Sequence, residues 1–320
     1  MPLVRISSYR PPVGFRNPHL QTVFPAIFRR PGKIQFVRER LELPDGDFID
    51  LDITGKIEEG FCALLLHGLE GSSRSSYMRG MAQTLQRAGL PVVAMNFRGC
   101  SGEPNRLACS YHGGQTSDLA AVVDWLVQNR GVEQIFPVGF SLGGNVLLRY
   151  LANEPHEAIR RSVAISVPCD LESSNLQLQQ LGNRLYSRRF VRTLRGKLQD
   201  KSRRQLTPIE PKVIRRIRNV ADFDAVYTAP AHGFSTAADY WAQCSSRPVV
   251  EQIALPTLVI NALDDPFLAE ECYPFAEAEQ SRSFYLETPR HGGHIGFVTS
   301  RRDGFYWHEL RAWEFLRAGK

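Results

Sequence analysis

Residues Gly139-Phe140-Ser141-Leu142-Gly143 constrain this chain more than any other five. They spell G-x-S-x-G between an apolar run, QIFPV, and a helix-patterned run, NVLLRYLA. At such a junction the chain turns so sharply from strand into helix that the serine is strained and presented outward. Gly139 and Gly143 must be small because the strand and helix backbones nearly touch. The competing reading of a glycine-rich strand-to-helix turn is a phosphate site at the helix N-terminus.

The junction requires a parallel sheet around it, and the flanking sequence supplies one. Phe61–Leu66, Pro91–Phe97, Gln134–Gly139 and Ser162–Val167 read as buried strands. Ser76–Ala88, Ser117–Asn129 and Leu142–Asn153 between them read as helices. Strands rich in Val, Ile and Leu that alternate with helical patterns imply a parallel sheet covered on both faces. The rhythm stops near Pro168 and returns at Pro256–Ala262 and Ser283–Leu286, and an amphipathic helix over Asp303–Ala318 ends the chain. Residues 171–245 show helical periodicity without a strand. The expected organisation is an N-terminal arm over 1–36, extended and packed on the body, then an α/β core over 37–170 and 246–320 interrupted by a helical cap over 171–245. With 43% hydrophobic and 22% charged residues, the composition excludes disordered, collagen-like and coiled-coil chains.

A serine hydroxyl needs a base to become a nucleophile. On a sheet of this kind the chain order is serine, acid, histidine. Two acids follow the strand PTLVINA, Asp264 and Asp265. Asp265 is preferred because Pro266 holds it extended at the sheet's active edge; Asp264 is the alternative, and the loser caps a turn or pairs with an arginine. For the base, His294 is preferred over His291 in RHGGH, because the glycines before it let the loop reach over the sheet edge. His19, His156 and His308 read as hydrogen-bonded structural residues. Acyl chemistry also needs donors for an oxyanion. The loop His67-Gly68-Leu69-Glu70-Gly71 after the strand CALLL supplies one, and the residue after the serine supplies the other, so the N–H groups of Leu69 and Leu142 are assigned.

With these pieces together, the sequence resembles the α/β-hydrolase superfamily. More narrowly it resembles the YheT-type subfamily of bacterial hydrolases, which is related to abhydrolase-domain lipases and medium-chain ethyl ester synthases. The resemblance rests on Asn17–Thr22 (NPHLQT), His67–Gly71, Asn96–Gly102 (NFRGCSG), Gly139–Asn145, Tyr227–Pro230 (YTAP) with His232-Gly233-Phe234, Asn261–Pro266 (NALDDP) and Gly292–Phe297 (GGHIGF). It covers nearly the whole chain. It implies a Ser141–Asp265–His294 relay that cleaves carboxylic esters, short- to medium-chain or lipid-like, with neither metal nor cofactor. Two rivals stand beside it: an acyltransferase or ester synthase on the same triad, and a non-catalytic binding protein on a hydrolase fold. No histidine is followed by Asp in an H-x-x-x-x-D acyltransferase spacing, which favours water as acyl acceptor.

Charge narrows the partners. Arg184 to Arg218 hold 13 basic and two acidic residues, so the segment carries +11 while the whole chain carries +6. The excess lies on the expected cap. Its readings are a solvated basic face, attraction to an anionic membrane surface or acidic substrate, or, least favoured, nucleic acid. The expected partner is a small ester, without nucleic acid; the sequence leaves the oligomeric state open. Six scattered cysteines form no CxxC pair, the N-terminus lacks an apolar leader, and the apolar runs stop at about six residues where about 20 would span a bilayer. The expected location is cytoplasmic, with peripheral contact at the inner membrane open to the basic cap.

Overall fold

The computed structural model describes residues 3–32, 34–57, 60–153, 155–300 and 304–318. Nine strands form one sheet: β1 (Leu3–Val4), β2 (Val37–Glu42), β3 (Phe48–Thr54), β4 (Phe61–Leu66), β5 (Val92–Asn96), β6 (Gln134–Phe140), β7 (Ser162–Ile165), β8 (Thr257–Ile260) and β9 (Phe284–Glu287). Their spatial order is β1-β9-β8-β7-β6-β4-β5-β3-β2. Pairing is parallel from β1 through to β5, and antiparallel only where β3 joins β5 and β2.

Alternation along each strand divides the core in two. Leu64, Leu66, Val93 and Met95 face helices α3 (Ser117–Arg130) and α4 (Leu142–Ala152). Ala63, Leu65, Val92 and Ala94 face α2 (Ser76–Arg87) and the C-terminal helix. Both sheet faces are therefore dry, which is why these strands read as continuous apolar runs rather than as alternating ones. The expected strands and helices are present with ends moved by a few residues at most.

The N-terminal segment differs from the expected extended arm. It forms β1 and an 11-residue helix, α1 (Pro18–Phe28), which Asn17 caps by accepting from Leu20 N. Pro18 at the first position suits a helix start, because its missing N–H would have had no partner there. Pro25 and the five aromatic or β-branched residues in PHLQTVFPAIF (Thr22, Val23, Phe24, Ile27 and Phe28) obscured the period. The C-terminal helix also departs from expectation: Gly304 to Tyr306 are non-helical and the helix runs Trp307–Arg317, while the expected start at Asp303 lies outside the described residues.

Between β7 and β8 the chain makes helices: α5 (Leu171–Gln179), α6 (Arg184–Arg203), α7 (Pro211–Arg216), α8 (Val220–Phe223), a π-helical turn over Asp224–Thr228, α9 (Ala229–Ala231) and α10 (Ala237–Cys244). Their inner faces share a small core that includes Val191, Leu194, Leu198, Ile214, Ile217 and Phe223. Two lysines of α6, Lys197 half-buried and Lys201 buried, pin it to the loops that follow β4 and β5. Lys197 Nζ meets Glu70 Oε1 at 2.7 Å, and Lys201 Nζ meets Asn105 Oδ1 at 2.7 Å and the Leu107 carbonyl at 2.6 Å. After β8 come α11 (Phe275–Gln280) and α12 (Trp307–Arg317). Among the described residues no helix is long and apolar enough to cross a membrane.

Candidate active site

The site is built where the parallel strands end. β4 and β6 pair with Leu66 beside Gly139, so two residues further on Gly68 lies against Ser141. A Cβ on Gly68 would sit 3.0 Å from Ser141 Cβ. Ser141 itself stands between β6 and α4 with φ 51° and ψ −122°. A side chain in that region costs about 1–3 kcal/mol, which the surrounding structure must over-determine. The two glycines of the motif are forced by contact. A Cβ on Gly139 would lie 2.7 Å from the Gly143 carbonyl oxygen, and one on Gly143 would lie 2.4 Å from that of His67.

Three side chains line up. Ser141 Oγ is 3.0 Å from His294 Nε2, and His294 Nδ1 is 2.9 Å from Asp265 Oδ2 and 3.1 Å from Oδ1. Asp265 is buried, and its Oδ1 also accepts from Phe267 N at 2.9 Å. The carboxylate thus fixes the ring with Nδ1 protonated, leaving Nε2 free to accept from the serine. Asp264 and His291 pair with each other instead, Nδ1 to Oδ2 at 3.1 Å, and Asp264 Oδ1 accepts from Gly293 N at 2.9 Å. Burial raises the Asp264 carboxyl above its ordinary value. The second acid and second histidine therefore clamp the loop that carries His294, rather than capping a turn or meeting an arginine.

That loop is held from three further sides, none of them assigned from the sequence. Thr22 Oγ1 accepts from His294 N at 2.9 Å, Ser166 Oγ from Ile295 N at 2.9 Å, and Gln21 Oε1 from Val298 N at 2.9 Å. Gln21 and Thr22 belong to the NPHLQT stretch of α1, so the helix unseen in the sequence is the floor of the histidine loop. It also explains two of the loop's glycines: a Cβ on Gly293 would meet the Pro18 carbonyl at 2.5 Å, and one on Gly296 the Gln21 carbonyl at 2.4 Å.

The second loop at Ser141 is His67–Gly71. His67 Nδ1 bonds the Gly68 carbonyl at 2.7 Å and its Nε2 accepts from Phe97 N at 3.0 Å. Burial drives the imidazole down to about 4, so it is a neutral brace. Gly68 N donates to Tyr77 Oη, and Glu70 N, at a φ of 54°, donates to Tyr111 Oη. The side chain of Glu70 meets Lys197 of α6, tying this loop to the helices above it. Between these anchored residues, the N–H groups of Leu69 and Leu142 have no acceptor among the described residues. The NFRGCSG stretch is structural: Arg98 is buried in a bidentate pair with Asp118, at 2.8 and 2.6 Å, and bonds Asp45 at 2.6 Å. His308 corrects the expectation of a hydrogen-bonded residue. Both its ring nitrogens are buried without a partner among the described residues, and burial drives its pKa well down.

A cleft opens over Ser141 and His294. Leu69, Leu142, Leu171, Leu178, Phe190, Val220 and Phe267 make its walls apolar. Asp224 stands among them, accepting from Trp241 Nε1 at 2.8 Å and Thr228 Oγ1 at 2.8 Å; burial raises it to about 6. Most of these walls come from the helices between β7 and β8.

Comparison with known proteins agrees with this architecture. Residues 64–300 match the family described as alpha/beta hydrolase fold. The YheT protein of Escherichia coli (strain K12) is 38% identical over 298 residues, covering 91% of this chain and 87% of that one. The phospholipase ABHD3 of Mus musculus is 26% identical, covering 91% and 73%. Among solved structures, the esterase Pf2001 of Pyrococcus furiosus superposes with a TM-score of 0.59 at 16% identity, covering 90% and 97%, a likeness of fold.

Proposed function

Since the chain belongs to the α/β hydrolase fold family, we propose that it hydrolyses carboxylic esters with Ser141 as nucleophile, His294 as base and Asp265 as the group that orients the base. The observation that carries this reading is the unbroken line of hydrogen bonds from Asp265 through His294 to Ser141, at 2.9 and 3.0 Å. Ser141 Oγ attacks the ester carbonyl carbon while its proton passes to His294 Nε2. The carbonyl oxygen becomes an oxyanion, held by the N–H groups of Leu69 and Leu142. As the tetrahedral intermediate collapses, His294 returns the proton to the leaving alkoxide, which departs as the alcohol. Water then enters; His294 takes one of its protons, the hydroxide adds to the acyl-serine, and collapse releases the acid and restores the Ser141 hydroxyl. Asp265 stays ionised and stabilises the imidazolium formed in each half-reaction.

Residues 171–245 act as the cap. Their apolar contribution to the cleft suits a short or medium acyl chain or the acyl part of a lipid, and the similarity to a phospholipase favours the latter. The partner is a small ester, and the basic cap makes contact with an anionic membrane surface rather than nucleic acid. The test is turnover of p-nitrophenyl esters across acyl lengths, beside Ser141→Ala. Removal of the hydroxyl is expected to lower kcat by about 10⁴- to 10⁶-fold with the fold intact. A Ser141→Ala protein as fast as its parent sinks the mechanism.

A further inference from the structure

Helix α6 sorts its residues into two stripes. Ser187, Val191, Leu194, Leu198 and Lys201 are buried against the body. Arg184, Arg188, Arg192 and Arg195, spaced at four, four and three residues, lie together on another face. Arg215 and Arg218 approach from the α7 side, and the six arginines line one open groove. The segment's own carboxylates are engaged elsewhere, Asp200 with Arg204 at 3.6 Å and Glu210 with Lys212 at 2.7 Å. None of the six guanidinium groups has a carboxylate partner among the described residues. Six like charges without counter-charge attract anions and repel one another.

Two more observations identify the anion as part of a surface. Leu176, Leu181 and Leu185, at the turn from α5 to α6, are 57%, 80% and 76% exposed. Exposed leucines beside arginines match the interfacial layer of a bilayer, where apolar side chains enter the acyl boundary and cations meet headgroup phosphates. A nucleic acid would have no use for the leucines. In addition, Leu178 of α5 lines both the arginine groove and the catalytic cleft. The groove therefore lies beside the entrance to Ser141, separated from it by one side-chain wall.

We propose that the α5–α6 face is a docking surface for an anionic phospholipid bilayer: the six arginines seat headgroup phosphates, and Leu176, Leu181 and Leu185 enter the interface, setting the mouth of the cleft against the lipid. This deepens the ester-hydrolase reading, on which it rests for the use of the cleft but not for the binding itself.

The test is sedimentation of the full chain with vesicles of phosphatidylcholine alone and of phosphatidylcholine with an equal part of phosphatidylglycerol, at low and high salt. The parent is expected to bind the mixed vesicles at low salt, to leave them at high salt and to bind neutral vesicles weakly. Arg188→Glu/Arg192→Glu/Arg195→Glu, which changes the charge by six units, should weaken binding more than about a thousandfold, at about fivefold for each unit. The milder Arg188→Gln/Arg192→Gln/Arg195→Gln variant should fall between, and Leu181→Ser/Leu185→Ser should weaken binding without changing its salt dependence. All three variants should hydrolyse a soluble p-nitrophenyl ester as fast as the parent. Failure of the parent to bind mixed vesicles, unchanged binding by the arginine variants, or tighter capture of an oligonucleotide than of vesicles would each overturn the proposal. Vesicle binding by a protein that hydrolyses no ester would leave the docking surface standing and overturn the hydrolase reading instead.

Discussion

At the scale of single residues, the two neighbouring acids do different work although their side chains are the same. Asp265 holds the His294 ring, whereas Asp264 holds His291 and the Gly293 amide. The assignment of roles predicts a large split between isosteric variants. Asp265→Asn presents an amide that can donate to Nδ1, which favours the tautomer with Nε2 protonated and unable to accept from Ser141; kcat on a p-nitrophenyl ester should fall by about 10⁴-fold. Asp264→Asn keeps a carbonyl for Gly293 N and should cost tenfold or less. Steady-state kinetics of the two proteins decide the matter, and equal losses would mean that the second pair shares the catalytic work. The sequence made Ser141 legible because strand, serine and helix are contiguous and two glycines mark the contact. It left the acids ambiguous because adjacent residues after a strand differ only in which way the loop turns, and that depends on long-range contacts.

At the scale of elements, the same distinction between local and distant causes accounts for what the sequence concealed. Strands β4 to β8 could be located because each is buried on both faces and so reads as an unbroken apolar run. Helix α1 could not, because its order comes from outside it: Gln21 is fully buried, bonding Tyr9 Oη at 2.8 Å, Phe15 O at 2.7 Å and Val298 N at 2.9 Å. The NPHLQT stretch could be recognised as a motif without its purpose being readable. Its purpose as the floor of the His294 loop yields a prediction. Thr22→Val keeps the shape but removes the acceptor for His294 N, leaving a partly buried donor unpaired at a cost of about 1–3 kcal/mol. The loop should shift and kcat should fall about tenfold or more, while KM, set by the cleft walls, stays near the parent value. Thr22→Ser restores the acceptor and should recover most of the rate. A Thr22→Val protein with parental kcat would show that the loop is held by its own clamp of Asp264 and His291.

At the scale of the whole molecule, the buried histidines outside the relay set how the fold responds to acid. Burial drives His67 down to about 4 and His112 to about 3, and His308 well below its ordinary value. Each is neutral in the folded chain, while the unfolded chain takes up the proton near pH 6.5. Below that pH the unfolded state therefore binds more protons, and stability falls as pH falls, by about 1.4 kcal/mol per pH unit for each such histidine, until the folded pKa is reached. Asp224 works in the opposite direction. Raised from 3.8 to about 6, it is protonated in the folded state first, so between those values it adds stability as pH falls and offsets one histidine. His308 isolates a single proton of this balance. Its ring lies against Phe297 and Phe140, at centroid distances of 5.4 and 6.3 Å, with neither nitrogen partnered among the described residues. His308→Leu exchanges a ring for an apolar side chain of similar volume. At pH 7 it should be as stable as the parent or up to about 3 kcal/mol more stable, because no polar atom is left buried and unpaired. Urea titrations between pH 6 and pH 4 should then show its unfolding free energy declining about 1.4 kcal/mol less per pH unit than the parent's. An unchanged slope would mean that His308 takes up its proton within the fold, and a large loss at pH 7 would mean that the ring's packing outweighs its unpaired nitrogens.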